Sequence, residues 1–272
     1  MNHVKYHIFH KTLIRVLFCL WAGFLQPDHG FSQTIILKIG LSKATRNYED
    51  WLKRSNPAVI LINLYVLPID SALRELSQCD GLLLTGGEDV YPGWYGKEYD
   101  TARCTEMNRH RDSLDIALIS KALDVKMPVF AVCRGHQMLN VFLKGTLIID
   151  IPKDAGTKVI HQCDDYLHCF HSVMVPKKSL LSKISHCDSA MVTSNHHQAI
   201  EQLSPLLIAN AYSKENLIEG IEWQHPAGKS FLLGVQWHPE RMEKKNPLSG
   251  PLADEFIRQA ELYSASHQIK TK

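Results

Sequence analysis

The chain has little net charge, because 30 Lys and Arg residues oppose 28 Asp and Glu residues and leave a formal charge of +2. It also lacks blocks of like charge, internal repeats and low-complexity segments. A surface that binds nucleic acid through electrostatics concentrates positive charge, so we predict no nucleic-acid partner. With 272 residues, of which 45% are hydrophobic, the sequence can bury one sizeable core.

A long apolar run is also missing from the N-terminus. The run at residues 16–25 is ten residues long, whereas a membrane-spanning helix needs about 20. Before it lie no acids and three bases, Lys5, Lys11 and Arg15. Gly30 and Ser32 place small residues at positions −3 and −1 of a cleavage site. This three-part pattern predicts a signal peptide at 1–32 and a mature domain at 33–272, exported to the periplasm or secreted from a bacterial cell, with no stable membrane anchor. The alternative is a slightly hydrophobic tail on a cytosolic enzyme.

The seven cysteines show no regular spacing, which argues against a protein built on a disulfide scaffold. Cys163 and Cys169 could pair if the protein is exported to an oxidising compartment. His161, His168 and His171 lie near these two cysteines, but zinc sites usually show tighter, repeated ligand spacing. We therefore predict no metal ion and a solvated loop over this segment.

A catalytic nucleophile is indicated at Cys133. A short apolar stretch ends at this cysteine, and an amphipathic helical pattern begins at Gly135. This layout is typical of a nucleophile elbow, a sharp strand-to-helix turn that exposes the side chain at its apex. Ala131 and Gly135 are small, as so tight a turn requires, and the helix N-terminus favours the thiolate. The alternative is a small buried cysteine that ends a core strand.

Two further predicted strand ends carry groups that could assist a nucleophile. One apolar stretch runs directly into His238 and Glu240, so it delivers a histidine base and a carboxylate that can orient it. Another ends at Gly86 and Gly87, whose backbone N–H groups can approach a ligand closely. With Cys133, these segments predict a nucleophile, a base, an orienting acid and an oxyanion hole.

Six motifs follow one another over about residues 35–265: Leu84-Thr-Gly-Gly-Glu-Asp89, Arg111-Asp112, Cys133-Arg-Gly-His-Gln137, Gly145-Thr-Leu-Ile-Ile-Asp150, Ser194-Asn-His-His-Gln198 and Gly234-Val-Gln-Trp-His-Pro-Glu240. In their order and separations they resemble the class I glutamine amidotransferase superfamily and, within it, the γ-glutamyl hydrolases related to γ-glutamyl-γ-aminobutyrate hydrolase. Ala131 stands where the superfamily usually has Gly, and Asp115 where the family more often has Glu. We interpret Arg111 and Asp112 as an ion pair at the start of a helix.

The resemblance implies a cysteine hydrolase that cleaves γ-glutamyl amide bonds through a thioester. Cys133 would attack the γ-carbonyl, His238 would transfer the proton, and Glu240 would orient the imidazole. The oxyanion hole would consist of backbone N–H groups of Gly86, Gly87 and Arg134. The glutamyl group would be held by five side chains, Gln137, Asn195, His196, His197 and Gln198. This chemistry requires no cofactor and no metal.

Strands and helices are predicted to alternate in the first part of the chain. The predicted strands are residues 35–41, 59–66, 81–85 and 129–132, and the helices are 49–54, 70–77, 111–123 and 135–142. Further strands at 172–175, 191–194, 207–211, 217–223 and 231–237 precede a closing helix at 251–265. This pattern predicts a single α/β domain, whose mostly parallel central sheet is flanked by helices. The family resemblance implies the same flavodoxin-like, three-layer arrangement.

Three functions compete at this point. A free-standing γ-glutamyl hydrolase acting on small molecules is the preferred one. A glutaminase subunit that supplies ammonia to a partner synthase is less favoured, because export would separate it from ATP-dependent biosynthesis. A binding protein that retains the fold without catalysis should have a broken triad, whereas this triad is complete. The leaving amine and the oligomeric state stay open, with a homodimer as one option.

Overall fold

The computed structural model describes residues 36–156, 160–165 and 167–268. The strands are β1 (Lys38–Leu41), β2 (Ile60–Asn63), β3 (Gly81–Leu84), β4 (Val129–Val132), β5 (Leu147–Ile148), β6 (Phe170–Met174), β7 (Ser189–Thr193), β8 (Ala199–Ile200), β9 (Leu207–Ser213), β10 (Ile218–Trp223) and β11 (Leu232–Val235). The α-helices are α1 (Arg46–Lys53), α2 (Ile69–Leu76), α3 (Arg109–Asp124), α4 (Arg134–Phe142), α5 (Ile151–Asp154), α6 (Leu180–Ser185) and α7 (Gly250–Gln268). The signal peptide predicted at 1–32 lies outside the described residues.

One mixed sheet runs through this part of the chain, in the order β2-β1-β3-β4-β11-β10-β9-β6-β7. The strands from β2 to β11 in this order pair in parallel, and those from β11 to β7 pair antiparallel. The short strands β5 and β8 pair with each other, and β8 also pairs with β10. The predicted α/β class is confirmed, and the parallel half of the sheet is the half built from alternating strands and helices.

Helices cover both faces of the parallel half. In β4, Phe130 and Val132 pack with residues of α1 and α7, whereas Val129 and Ala131 pack with residues of α2, α3 and α4. Successive residues of a strand point to opposite faces, so a strand that is apolar at every position must be covered on both sides. The Phe130 ring lies 5.4 Å from Trp51 of α1 and 5.7 Å from Phe256 of α7, measured between ring centroids. The parallel strands are therefore fixed in a three-layer core.

The predicted solvated loop around residues 161–171 is confirmed in its middle, where residues 162, 164, 165, 167 and 168 are exposed, and is wrong at its two ends. His161, Cys169 and His171 are buried, and only His168 of the predicted group is exposed. The physical reason is that β6 starts at Phe170 and pairs with β7 and β9, so alternate side chains from His171 onward turn into the protein. A disulfide between Cys163 and Cys169 closes the preceding segment.

Among the described residues, none of the helices combines the length and the hydropathy that crossing a membrane requires.

Candidate active site

The carboxyl ends of three adjacent parallel strands place the predicted catalytic residues together. Leu84 of β3 pairs with Ala131 of β4, and Val132 of β4 pairs with Val235 of β11. Gly86 and Gly87, Cys133, and His238 lie one to three residues beyond these three strand ends. A crevice outside the carboxyl ends of parallel strands is the usual ligand site of an open α/β sheet.

Cys133 occupies the apex of a strained turn between β4 and α4. Its backbone has φ 49° and ψ −106°, a conformation that residues other than glycine seldom adopt. Its N–H donates to the carbonyl of Val235 at 2.8 Å, which ties the turn to β11. A Cβ atom added at Gly135 would lie 2.4 Å from the carbonyl oxygen of Leu84, so only glycine lets α4 approach β3 this closely. The predicted elbow is present, with the cysteine at the N-terminal cap of a helix.

His238 is fixed by hydrogen bonds at both its backbone and its ring. Its N–H donates to the carbonyl of Thr193 at 2.9 Å, and its Nδ1 lies 2.7 Å from Oε1 of Glu240. Burial opposes protonation of the ring, but the charges of Glu240 and Cys133 outweigh it and raise the pKa of His238 to about 9. Arg241 contacts the same carboxylate oxygen, with its Nε 3.3 Å from Oε1 of Glu240. The imidazole is therefore cationic at neutral pH and is oriented through Nδ1.

Gly86 marks the point where the cysteine and the histidine approach one another. A Cβ atom added there would lie 3.1 Å from Cε1 of His238 and 3.5 Å from Cβ of Cys133. The Gly86 N–H donates to the hydroxyl oxygen of Tyr48 at 2.8 Å. Burial and the nearby charge of Glu240 raise the pKa of Tyr48 well above its ordinary value, so the hydroxyl stays protonated. The Gly86 N–H is one of the three predicted oxyanion-hole donors. It already has a hydrogen-bond acceptor, the Tyr48 hydroxyl.

A fully buried network of ion pairs joins α3 to Arg134, the residue that directly follows Cys133 in the elbow. Arg134 Nη2 lies 2.6 Å from Oδ1 of Asp112, and the same guanidinium contacts Asp115. Arg111 Nε lies 3.1 Å from Oδ1 of Asp115, and its Nη2 donates to Ser42 Oγ at 2.9 Å. The prediction of an ion pair between Arg111 and Asp112 is therefore wrong. Both residues face the protein interior from α3. Arg111 therefore pairs with Asp115, one turn further along the same helix, and Asp112 pairs with Arg134 of α4.

Gln137 and Gln198, two of the residues predicted to bind the glutamyl group, are joined to each other. Both are buried, and Gln137 Nε2 donates to the backbone carbonyl of Gln198 at 3.0 Å and to Oε1 of Gln236 at 3.1 Å. These bonds place the turn after β7 against the helix that follows Cys133. Their contact with a substrate stays a prediction.

The other three residues of that turn have different surroundings. Asn195 is half-buried. His197 Nε2 lies 2.9 Å from both carboxylate oxygens of Asp89, a contact that raises the pKa of His197. His196 is buried, and its ring faces Glu219 of β10. The predicted roles of these three residues in substrate binding also stay predictions.

Two residues at the site had no place in the sequence prediction. Arg241 directly follows Glu240, and this adjacency of an arginine and a predicted catalytic acid is a signal that could have identified it. Tyr48 lies in α1, remote in sequence from every motif, and only the fold brings its hydroxyl to Gly86.

Several known proteins resemble this chain in sequence or in fold. The protein NtpR of Enterococcus hirae is 39% identical over 199 residues, which cover 71% of this chain and 82% of that protein. The γ-glutamyl-γ-aminobutyrate hydrolase PuuD of Escherichia coli is 33% identical over 205 residues, covering 71% of this chain and 76% of that protein. The glutaminase domain of a Trypanosoma brucei CTPS with bound acivicin shares the fold, with a TM-score of 0.56 and 17% identity over 83% of this chain and 94% of that one. The family model for Peptidase C26 matches residues 31–240. The chain therefore belongs to the Peptidase C26 family.

Proposed function

We propose that the protein is a γ-glutamyl hydrolase that cleaves γ-glutamyl amide bonds through a thioester on Cys133. The observation that carries the proposal is the placement of Cys133 at a strained helix cap, beside a histidine that is held by a carboxylate at 2.7 Å. Family membership supports a hydrolase, and the name of the E. coli relative supports γ-glutamyl-γ-aminobutyrate as the first substrate to test.

In the first step, Cys133 and His238 act as a thiolate–imidazolium pair. The thiolate attacks the γ-carbonyl carbon of the substrate, and the carbonyl oxygen becomes an oxyanion. The imidazolium then gives its Nε2 proton to the departing amine as the C–N bond breaks. Glu240 keeps Nδ1 protonated, so Nε2 is the nitrogen that exchanges protons with the reaction.

The oxyanion is stabilised by the backbone N–H groups of Gly87 and Arg134. Arg134 is the first residue of α4, and an N–H at this position has no acceptor within its own helix. The N–H of Gly86 is the weaker candidate, because it would have to leave Tyr48 to join the hole. One donor of this kind typically contributes about 3 kcal/mol to transition-state stabilisation.

In the second step, neutral His238 removes a proton from water, and the hydroxide attacks the thioester carbonyl. The C–S bond breaks, glutamate leaves, and the proton on His238 restores the ion pair with Cys133. The glutamyl head group is bound by the turn of residues 195–198 and by Gln137. In this turn Asn195 and His197 are the more accessible members, and His197 can carry a positive charge toward the α-carboxylate.

Export is the second part of the proposal. Residues 1–32 follow the three-part pattern of a signal peptide, and the Cys163–Cys169 disulfide suits an oxidising compartment such as the periplasm. Periplasmic γ-glutamyl amides would then be the accessible substrates.

The test uses the purified protein alone. We expect it to release glutamate from glutamine and from a panel of γ-glutamyl amines, γ-glutamyl-γ-aminobutyrate included, and to leave the α-linked isomers intact. Cys133→Ala should abolish this turnover, whereas Cys187→Ala, which changes another free cysteine, should not affect it.

Two outcomes would contradict the proposal. Turnover that requires an added synthase would indicate the glutaminase subunit instead. A folded Cys133→Ala variant that retains more than a few per cent of the activity would rule out the thioester.

A further inference from the structure

Three histidines and one glutamate meet in the interior of the antiparallel half of the sheet. They are His161 before β6, His171 in β6, His196 after β7 and Glu219 in β10. One nitrogen of each histidine and one oxygen of the glutamate all lie within 4.8 Å of one another. All four side chains are at least nine-tenths buried. None of the four belongs to the proposed catalytic triad.

The ring nitrogens that face Glu219 converge on a single oxygen. Oε1 of Glu219 lies 3.4 Å from Nδ1 of His161, 3.2 Å from Nε2 of His171 and 3.6 Å from Nε2 of His196. A tetrahedral ion with metal–ligand bonds of about 2.0–2.2 Å separates its ligand atoms by about 3.3–3.6 Å. The three nitrogen–oxygen distances are thus close to three of the six edges of a coordination tetrahedron.

These contacts have poor geometry for hydrogen bonds. Within the described ranges, neither carboxylate oxygen of Glu219 accepts a well-aligned hydrogen bond, and the facing nitrogens of the three histidines donate none, although all three rings lie at ion-pair distance from the carboxylate. A buried carboxylate that accepts no well-aligned hydrogen bond is costly, and so is a buried imidazole nitrogen that makes none. Four such groups within 4.8 Å of one another indicate that a ligand which accepts lone pairs belongs between them.

The tautomer of His196 suits that ligand. Its Nδ1 lies 2.9 Å from the backbone carbonyl oxygen of Gln198. A carbonyl can only accept, so Nδ1 carries the hydrogen and Nε2 presents a lone pair toward Glu219. A histidine that ligates a metal usually donates its other ring N–H in this way.

We propose that His161, His171, His196 and Glu219 bind one divalent transition-metal ion, for which zinc is the best match. Imidazole suits zinc, and three imidazoles with one carboxylate complete a tetrahedral shell. Because the protein supplies all four ligands, the site is structural rather than catalytic.

The ion would join segments that are far apart in the sequence. It ties β6 and β10 to the 194–198 turn and to His161, two residues before the segment closed by the Cys163–Cys169 disulfide. The Gln198 carbonyl that accepts from His196 also accepts from Gln137 of α4. The metal site is thereby linked to the helix that begins at the elbow.

The experiment measures metal in the full-length, untagged protein by elemental mass spectrometry. We expect about one zinc per chain and at least about a tenfold loss of metal in His171→Gln and Glu219→Gln. His168→Gln is the matched control, since this histidine lies on the same segment, is exposed, and pairs with Asp165. Its metal content should equal that of the unmodified protein.

Measurements on the unmodified protein keep the test decisive if a ligand variant fails to fold. Removal of the metal with a chelator should lower Tm, and added Zn²⁺ should restore it. Co²⁺ added to the chelated protein should produce the strong visible absorption of a tetrahedral cobalt site. Absence of any transition metal together with no change in Tm on adding Zn²⁺ would overturn the proposal. Binding that survives unchanged in a folded Glu219→Gln variant would also overturn it.

Discussion

The Glu240→Gln substitution tests how His238, the proposed catalytic base, obtains its charge. The pKa of His238 lies at about 9 against an ordinary 6.5, a difference that corresponds to about 3 kcal/mol in favour of the imidazolium. Burial opposes protonation of the ring, so the nearby anions of Glu240 and Cys133 must supply the free energy that favours the imidazolium. Replacing the carboxylate by an amide removes one of these anions and leaves the ring near the cation of Arg241. The pKa of His238 should therefore fall by about 1–3 pH units, the usual effect of one close opposite charge.

The assay is the pH dependence of kcat/KM for a γ-glutamyl amide. In the unmodified enzyme the activity should fall as the pH rises through about 9, where His238 loses its proton. In Glu240→Gln this alkaline limb should move to lower pH, and kcat should decrease less than the at least about 10³-fold expected for His238→Ala. Glu243→Gln is a matched control, because Glu243 forms an exposed pair with Lys245. An alkaline limb that does not move in Glu240→Gln would refute the reasoning.

The same pKa predicts how stability depends on pH. Because the pKa of His238 is higher in the folded chain than its ordinary 6.5, protonation of this group stabilises the fold. The contribution is fully present below about pH 6.5 and is lost as the pH rises through about 9. The difference in the free energy of unfolding between the unmodified protein and Glu240→Gln should therefore shrink over this range, as measured by urea titration.

Three further changes test the elbow, its support and the N-terminus. Gly135→Ala places a Cβ 2.4 Å from the Leu84 carbonyl oxygen and should lower the free energy of unfolding by about 1–3 kcal/mol, so an unchanged urea midpoint would contradict the close approach. Asp112→Asn leaves the buried guanidinium of Arg134 without one of its carboxylates and should lower the free energy of unfolding by about 3–5 kcal/mol in the same titration. An unchanged free energy of unfolding would contradict a stabilising role for this ion-pair network. Mass spectrometry of the protein from its native host should find an N-terminus near Gln33, whereas an intact Met1 in the cytosolic fraction would contradict export.

Local patterns in the sequence were sufficient to predict the parallel half of the fold and the position of the elbow. The apolar stretch before Cys133 matches β4 at 129–132, and the helix after it begins at Arg134, one residue before the predicted start. Such segments are predictable because strand burial, a tight turn and helix amphipathicity depend on neighbouring residues. The short strands β5 and β8, of two residues each, carry no comparable periodicity and were missed.

Contacts between distant residues were not predictable in the same way. His161, His171, His196 and Glu219 are spread over four segments, and only the antiparallel pairing of β6, β7, β9 and β10 assembles them. The spacing that identifies short zinc motifs is therefore absent. Similarly, Arg111 and Asp112 are adjacent in sequence, but the helix geometry directs them to Asp115 and Arg134.

The most direct test of the account is detection of the thioester itself. The purified protein is mixed with a γ-glutamyl amide, quenched in acid during turnover, digested, and analysed by mass spectrometry. We expect the peptide that contains Cys133 to gain the mass of one γ-glutamyl group, and His238→Ala or Cys133→Ala to abolish this adduct. Release of glutamate with no adduct on Cys133, or an adduct on another residue, would contradict the proposed mechanism.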